Sequence, residues 1–200
     1  MSPHGLLPIG VTDCYYKRLM TSTIILLNGV GSAGKSSLAK ALQEILPAPF
    51  LHIQMDTFFE MMPKKLQNHS QGFLFEETTI GGKASIKISE GPFGAQVMIG
   101  MRSAIKAMAD TGNNLIIDDV ILDDGFSEYQ RLLAPFELLT VGVHASLETL
   151  EARERERGDR LIGLARWQYD LVQHGKTYDL DVNTETASPA EIAHQVAALI

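Results

Sequence analysis

Cysteine is almost missing from this chain: Cys14 is the only one in 200 residues. That excludes an intramolecular disulfide and a thiolate metal cluster. It fits a reducing compartment, so a cytoplasmic location is the expectation. No apolar run approaches the roughly 20 residues a membrane-spanning helix needs. The first nineteen residues lack the charged start and long apolar core of a secretory signal. Positive charge is scarce as well: 17 Lys and Arg against 24 Asp and Glu leave a net charge of −7. A general nucleic-acid binder would need a basic face to neutralise phosphates, so neither nucleic acid nor membrane is an expected partner. A small anionic ligand stays allowed, because backbone amides and a few cations suffice to hold one. His144, His174 and His194 have no metal-ligand spacing, and no internal repeat or low-complexity tract stands out.

What is present is ordinary for a globular chain: 45% apolar and 20% charged residues. The length suits one domain with a sizeable core. The compact pattern begins at Ile24, just after Met20, so residues 1–19 are expected to be a dispensable extension and 20–200 the domain. Self-association is left open.

The most informative segment is Gly29-Val30-Gly31-Ser32-Ala33-Gly34-Lys35-Ser36. It meets the pattern G-x-x-x-x-G-K-[ST] at every fixed position. Glycines let backbone wrap closely round an anion, since no Cβ blocks the approach or the positive φ angles. The amides from Gly29 through Ser37 then offer partial positive charge at the start of a helix. Lys35 is expected to reach the β- and γ-phosphates of a nucleotide, and Ser36 to offer its hydroxyl to Mg²⁺.

Short apolar runs alternate with helical patterns, as in a parallel sheet covered by helices on both faces. Five strands are expected at Thr23–Asn28, Phe50–Met55, Asn114–Asp118, Leu138–Val143 and Tyr178–Val182. Helices are expected at Lys35–Ile45, Thr57–Leu66, Gly94–Asp110, Phe126–Leu133, Leu147–Arg157, Leu161–Val172 and Pro189–Leu199. Ser188-Pro189-Ala190-Glu191 reads as a cap for the last of these. In the stretch 71–89, Phe73–Ile80 and Lys83–Ser89 flank Gly81-Gly82, a good tight-turn pair. A hairpin or ordered flap is expected there, either covering the substrate or decorating the surface.

Ligands of open parallel sheets bind beyond the C-terminal strand ends. Asp56 falls at such an end and is the expected base for an acceptor hydroxyl, with an N-cap role compatible. Asp118 and Asp119 end another strand, which resembles a Walker B segment. One would serve the metal shell and the other would contact substrate or order a loop; spacing does not decide between them, but Asp118 comes first off the strand and is assigned the metal, with Asp119 at the substrate. In Arg153–Arg160, Arg157 and Arg160 flank the Gly158-Asp159 break and read as lid arginines that stabilise a transferring phosphoryl group. Arg153 and Arg155 read as a solvated helix face. Phe58, Phe59 and Met62 would line an apolar acceptor site or belong to the core. Asn183 and Thr184 would touch the nucleotide base, and Trp167 reads as packing.

These residues bring the chain close to a known family. Ile25-Leu26-Leu27-Asn28-Gly29, Ser32-Ala33-Gly34-Lys35-Ser36, Leu46-Pro47-Ala48-Pro49, Met55-Asp56-Thr57, Met62-Pro63-Lys64-Lys65-Leu66-Gln67, Ile116-Ile117-Asp118-Asp119-Val120, Arg157-Gly158-Asp159-Arg160 and Tyr178-Asp179 occur in that order. From about Met20 onward the chain resembles the chloramphenicol 3-O-phosphotransferases, which are P-loop kinases. The resemblance implies a three-layer P-loop kinase fold and transfer of the ATP γ-phosphate to a primary hydroxyl, inactivating the antibiotic. It implies Asp56 as base, Lys35 and Ser36 on phosphate and metal, and Arg157 and Arg160 on nucleotide phosphates, with ATP and Mg²⁺ as cofactors. The Gln71–Ser89 stretch is longer than the family pattern, Phe58-Phe59 replaces smaller residues, and Arg155 is additional. These departures lie near the acceptor. They keep open a kinase of another hydroxylated metabolite, such as a sugar, a shikimate-like acid or a nucleotide-sugar. A nucleotide-dependent binding protein is the remaining class; the absence of Asn-Lys-x-Asp weakens a GTPase switch.

Overall fold

The computed structural model describes residues 21–122, 124–158 and 161–200. The proposed extension 1–19 and the lid residue Arg160 therefore lie outside the described residues. Five parallel strands form the central sheet: β1 (Thr23–Asn28), β2 (Phe50–Gln54), β5 (Asn114–Asp119), β6 (Glu137–His144) and β7 (Leu180–Asn183). Their order is β2-β5-β1-β6-β7, with β1 at the centre. β3 (Phe73–Ile80) and β4 (Lys83–Glu90) pair separately as an antiparallel hairpin.

Strand side chains alternate between faces, and both faces are covered. Ile25 and Leu27 point into one core with Leu38 and Leu42 of α1 (Lys35–Ile45) and Ile192 and Val196 of α7 (Pro189–Ala197). Ile24 and Leu26 point into the other, with Met101 and Ile105 of α3 (Pro92–Asp110) and Tyr129 and Leu133 of α4 (Gly125–Leu133). All four β1 side chains are fully buried. Each contributes about 1.5–3 kcal/mol of transfer free energy, which explains the unbroken apolar run.

The expected α/β fold and the expected strands and helices are observed, with shifted boundaries. The helix read at Thr57–Leu66 is instead α2 (Met55–Glu60) followed by a 3₁₀ turn, Lys64–Leu66. Pro63 lies between them, and its missing N–H and ring disfavour a continuous helix. The helix read from Leu161 begins later, as α6 (Leu164–Gln173), because Gly163 adopts φ 97°. α5 spans Leu147–Arg157 as expected and ends on Gly158 at φ 67°. Gly81 and Gly82 both have positive φ and close the hairpin. Ser188 and Glu191 form the capping box of α7.

β1 ends on Asn28, a fully buried side chain. Its Oδ1 accepts from Ile121 N at 2.8 Å. Its Nδ2 donates to Val172 O at 3.2 Å and to the Tyr178 hydroxyl at 2.7 Å. One amide thus joins the exit of β5, the end of α6 and the approach to β7. Replacing it strands a buried N–H, so Asn28→Ala is expected to cost about 2 kcal/mol or more in urea unfolding. An unchanged midpoint would show that the three segments are held by other means.

Candidate active site

The loop after β1 lies between buried strand and helix. A Cβ on Gly29 would stand 2.5 Å from Val143 O, so only glycine fits. Ser32 is held at φ 65° and Gly34 at φ 94°. A left-handed non-glycine residue is strained, and such strain marks loops shaped for a ligand. Gly34 caps α1 and, being glycine, brings no side-chain hydrogen bond to the start of that helix. The first helix amides are the groups that bind anions in such loops.

Lys35 is buried and its ammonium donates to Gly29 O at 2.8 Å and Val30 O at 3.1 Å. It lies 3.8 Å from Asp118 Oδ1. Ser36 Oγ donates to Asp118 Oδ2 at 2.6 Å. Residues 82 positions apart are therefore joined at one point, because β5 lies beside β1 with Leu27 opposite Asp118. Burial acts to raise the Asp118 carboxyl, but His52, Lys35 and Ser36 outweigh it and hold it down at about 2. His52 Nε2 lies 3.5 Å from Asp118 Oδ2, at the outer edge of hydrogen-bond distance. It is the buried side-chain polar atom, among the described residues, that lacks a hydrogen-bond partner. No group of three or more His, Cys, Asp or Glu able to hold a metal occurs among the described residues. A hydroxyl and a carboxylate at this spacing suit a hard cation that keeps water and phosphate oxygens for its other ligands.

Asp119, for which a substrate contact and a loop-ordering role are both open, is engaged within the fold: its Oδ1 accepts from Val120 N at 2.7 Å and its Oδ2 from the Tyr129 hydroxyl at 2.9 Å. It faces the opposite side of the sheet from Asp118, as neighbours on a strand must. Burial raises its pKa, against the pull of those two donors. Thr184, expected at the nucleotide base, donates to Ala33 O at 2.9 Å and supports the loop itself. Asn183 borders a cleft of about 560 Å³ beside the loop, with Val30, Leu150 and Tyr169 on its walls. Phe59 packs on the hairpin, its ring 5.7 Å from Phe73 and 6.0 Å from Phe75. Phe58, about 100° round the helix from it, lines an apolar groove of about 370 Å³ with Met61, Met62, Phe93 and Val97. Asp56 is half-buried in the first turn of α2, not at its cap. Gln54, two residues before it, lies opposite Asp118. Arg157 is exposed at the end of α5.

Arg153 corrects the solvated-face reading. Its guanidinium donates to Thr184 Oγ1 at 2.9 Å and Thr184 O at 3.0 Å, and reaches Ser32 O at 3.5 Å. The adjacent Glu154 is buried and accepts from Gly163 N at 2.7 Å and Ala165 N at 2.8 Å, satisfying the first amides of α6. A run of alternating charges gives no signal for this; the burial of single members follows from where α6 docks. Arg166, paired with Glu151, donates to Ala84 O at 2.7 Å. Ser85, also buried, donates to Gly163 O at 2.8 Å. The hairpin is thereby fastened to the start of α6.

Strand order and the glycine-rich loop leading from β1 into α1 define a P-loop kinase fold. Solved structures agree on that fold. An APS kinase of Mycobacterium tuberculosis, solved with AMPPNP and APS, superposes with TM-score 0.61 at 15% identity, covering 90% of this chain and 98% of its own. A gluconokinase from Sinorhizobium meliloti 1021 gives 0.59 at 20% identity, covering 90% and 92%. The Deinococcus radiodurans tunicamycin resistance protein gives 0.57 at 19% identity, covering 89% and 95%. Within that class, residues 22–200 match the family described as chloramphenicol phosphotransferase-like protein, and the chain belongs to it. A Mycobacterium tuberculosis H37Rv protein provisionally named an O-phosphotransferase is 32% identical over 179 residues, covering 86% of this chain and 80% of its own. The chain is accordingly an enzyme of the small-molecule kinase type. No helix among the described residues is long and apolar enough to cross a membrane.

Two expectations follow from this geometry. A carboxyl held down at about 2 in the fold, against 3.8 unperturbed, stabilises the fold above the unfolded value. That contribution, about 2 kcal/mol, is lost as pH falls from about 4 towards 2. The stability gap between the wild-type chain and Asp118→Asn, read by urea unfolding, should therefore shrink below pH 4; a gap independent of pH would contradict it. Separately, a Cβ on Gly163 would meet Ser85 Cα at 2.8 Å in a backbone already at φ 97°. Gly163→Ala should release the hairpin, seen as faster hydrogen exchange at Ile86, whose amide donates to Gly163 O.

Proposed function

We propose that the chain transfers the γ-phosphoryl group of ATP, with Mg²⁺, to a hydroxyl of a small molecule. Chloramphenicol is the acceptor we name first. The observation that carries the reading is the 2.6 Å bond from Ser36 Oγ to Asp118 Oδ2 beside the buried Lys35 ammonium. It brings loop hydroxyl, acidic strand end and phosphate-reaching cation to one point, as phosphoryl transfer requires.

Ser36 and Asp118 would hold the cation. Bound there, it would neutralise charge on the donor phosphates. Lys35 exchanges the carbonyls of Gly29 and Val30 for phosphate oxygens, and amides at the start of α1 hold the rest of the chain of phosphates. Arg157, the last residue of α5, and Arg160, three positions further along the sequence, would bring positive charge to the phosphates and stabilise the charge that spreads over the transferring group. Arg153 holds Thr184 and Ser32 and so keeps the loop in shape. The cleft bordered by Asn183 supports a place for the nucleoside.

On the other side of β5, Asp56 accepts the proton of the acceptor hydroxyl as its oxygen attacks the γ-phosphorus in line. Its place two residues past Gln54, opposite Asp118, supports this role. The apolar groove of Phe58 and Met62 favours an acceptor with an apolar part over a fully polar sugar. The name given to the mycobacterial relative supports O-phosphorylation in general.

ADP release should be measured with Mg²⁺ and ATP, with and without chloramphenicol, and the drug examined by mass spectrometry. Drug-dependent ADP and a product heavier by one phosphoryl group are expected. ATP binding without stimulation would remove chloramphenicol and call for hydroxylated metabolites. Asp56→Asn should lose at least about a hundredfold in kcat while binding ATP as before; near-normal turnover would refute the base.

A further inference from the structure

Helix α6 packs near the entry half of the phosphate loop, where Val30 shares a core with Ala165 and Val172, and Gln168 adds a hydrogen bond. Gln168 is only 4% exposed, and its Oε1 accepts from Gly31 N at 2.9 Å. A Cβ on Gly31 would come within 3.2 Å of that oxygen, so the second loop glycine is what admits the side chain. The same half of the loop supplies Gly29 O and Val30 O to the Lys35 ammonium. Lys35 is the group that reaches the β- and γ-phosphates. Gln168 therefore borders the γ end of the loop, not the end at the start of α1.

Its position is fixed from both directions along α6. Five residues before it, Gly163 is held by Glu154 and Ser85. Four residues after it, Val172 O accepts from Asn28 Nδ2. A glutamine so placed offers a neutral acceptor to Gly31 and keeps an amide NH₂ group as donor. A carboxylate would offer the same acceptor geometry but would set a negative charge beside the loop.

We propose that Gln168 is a positioning residue that shapes the γ-phosphate end of the loop, and that its neutrality lets the loop prefer a triphosphate to a diphosphate. The proposal rests on the reading that this loop binds ATP. Gln168→Glu preserves size and the acceptor for Gly31 N. Its charge lies near a γ-phosphate and one phosphate further from the end of a diphosphate, so Coulomb repulsion falls mainly on the triphosphate.

The experiment is calorimetric titration of the full chain with Mg²⁺–AMPPNP and with Mg²⁺–ADP, melting curves being recorded in parallel. Gln168→Glu should weaken AMPPNP by about tenfold or more and ADP by less than about threefold. Equal weakening of both nucleotides, or none, in a variant that melts like the wild type overturns the proposal. Should Gln168→Glu not fold, Gln168→Met removes the acceptor without adding charge. It should lower the AMPPNP-to-ADP affinity ratio by about threefold, and an unchanged ratio overturns the proposal. A wild-type chain that binds neither nucleotide overturns the ATP reading itself, whereas one that binds both with an unaltered ratio in the variants overturns the role of Gln168 alone.

Discussion

The catalytic edge of the sheet is referenced to the side chain of Asn28. A buried polar group must find partners, and an amide can both accept and donate, which a carboxylate or an alkyl group cannot. Asn28 uses both capacities, tying the β5 exit at Ile121 to α6 at Val172 and to Tyr178. The phosphate loop begins at the next residue. Strand pairing sets the loop against Asp118 on one side, and the Asn28–Val172 bond ties it to the helix that carries Gln168 on the other.

A chain with net charge −7 meets an anionic ligand by concentrating its few cations. Lys35 is folded under the loop, and Arg153 clamps the loop from α5. The start of α1 adds partial positive charge that no composition reveals. The carboxylates in the same region are kept from opposing this. Asp118 is engaged by Ser36 and lies beside Lys35, Asp119 is turned to Tyr129, and Glu154 is used to cap α6. The hairpin, fastened to Gly163 at the start of α6, also packs against Phe59 of α2.

Much of this was legible in the residues. β1, α1 and the loop between them were readable because a buried strand, a glycine-rich turn and an amphipathic helix each leave a distinct local pattern. The hairpin was readable from Gly81-Gly82, since a two-residue turn with positive φ has few other solutions. Pro63 marked a helix break that the apolar pattern of Thr57–Leu66 obscured. What the residues do not reveal has one cause. The partners of Phe59, Thr184, Arg153 and Asp119 depend on which segment arrives beside each, and residue type and sequence neighbourhood do not carry that.

The sequence alone determined the α/β class, the phosphate loop, the acidic strand ends and the family, because these rest on local propensity and on ordered short motifs. The tertiary structure decided which of two adjacent aspartates meets Ser36, which arginine of a charged run braces the loop, and that Gln168 touches Gly31. The reason is geometric. Strand pairing sends neighbouring side chains to opposite faces, and helix docking brings together residues more than a hundred positions apart, and neither arrangement leaves a trace in the local pattern.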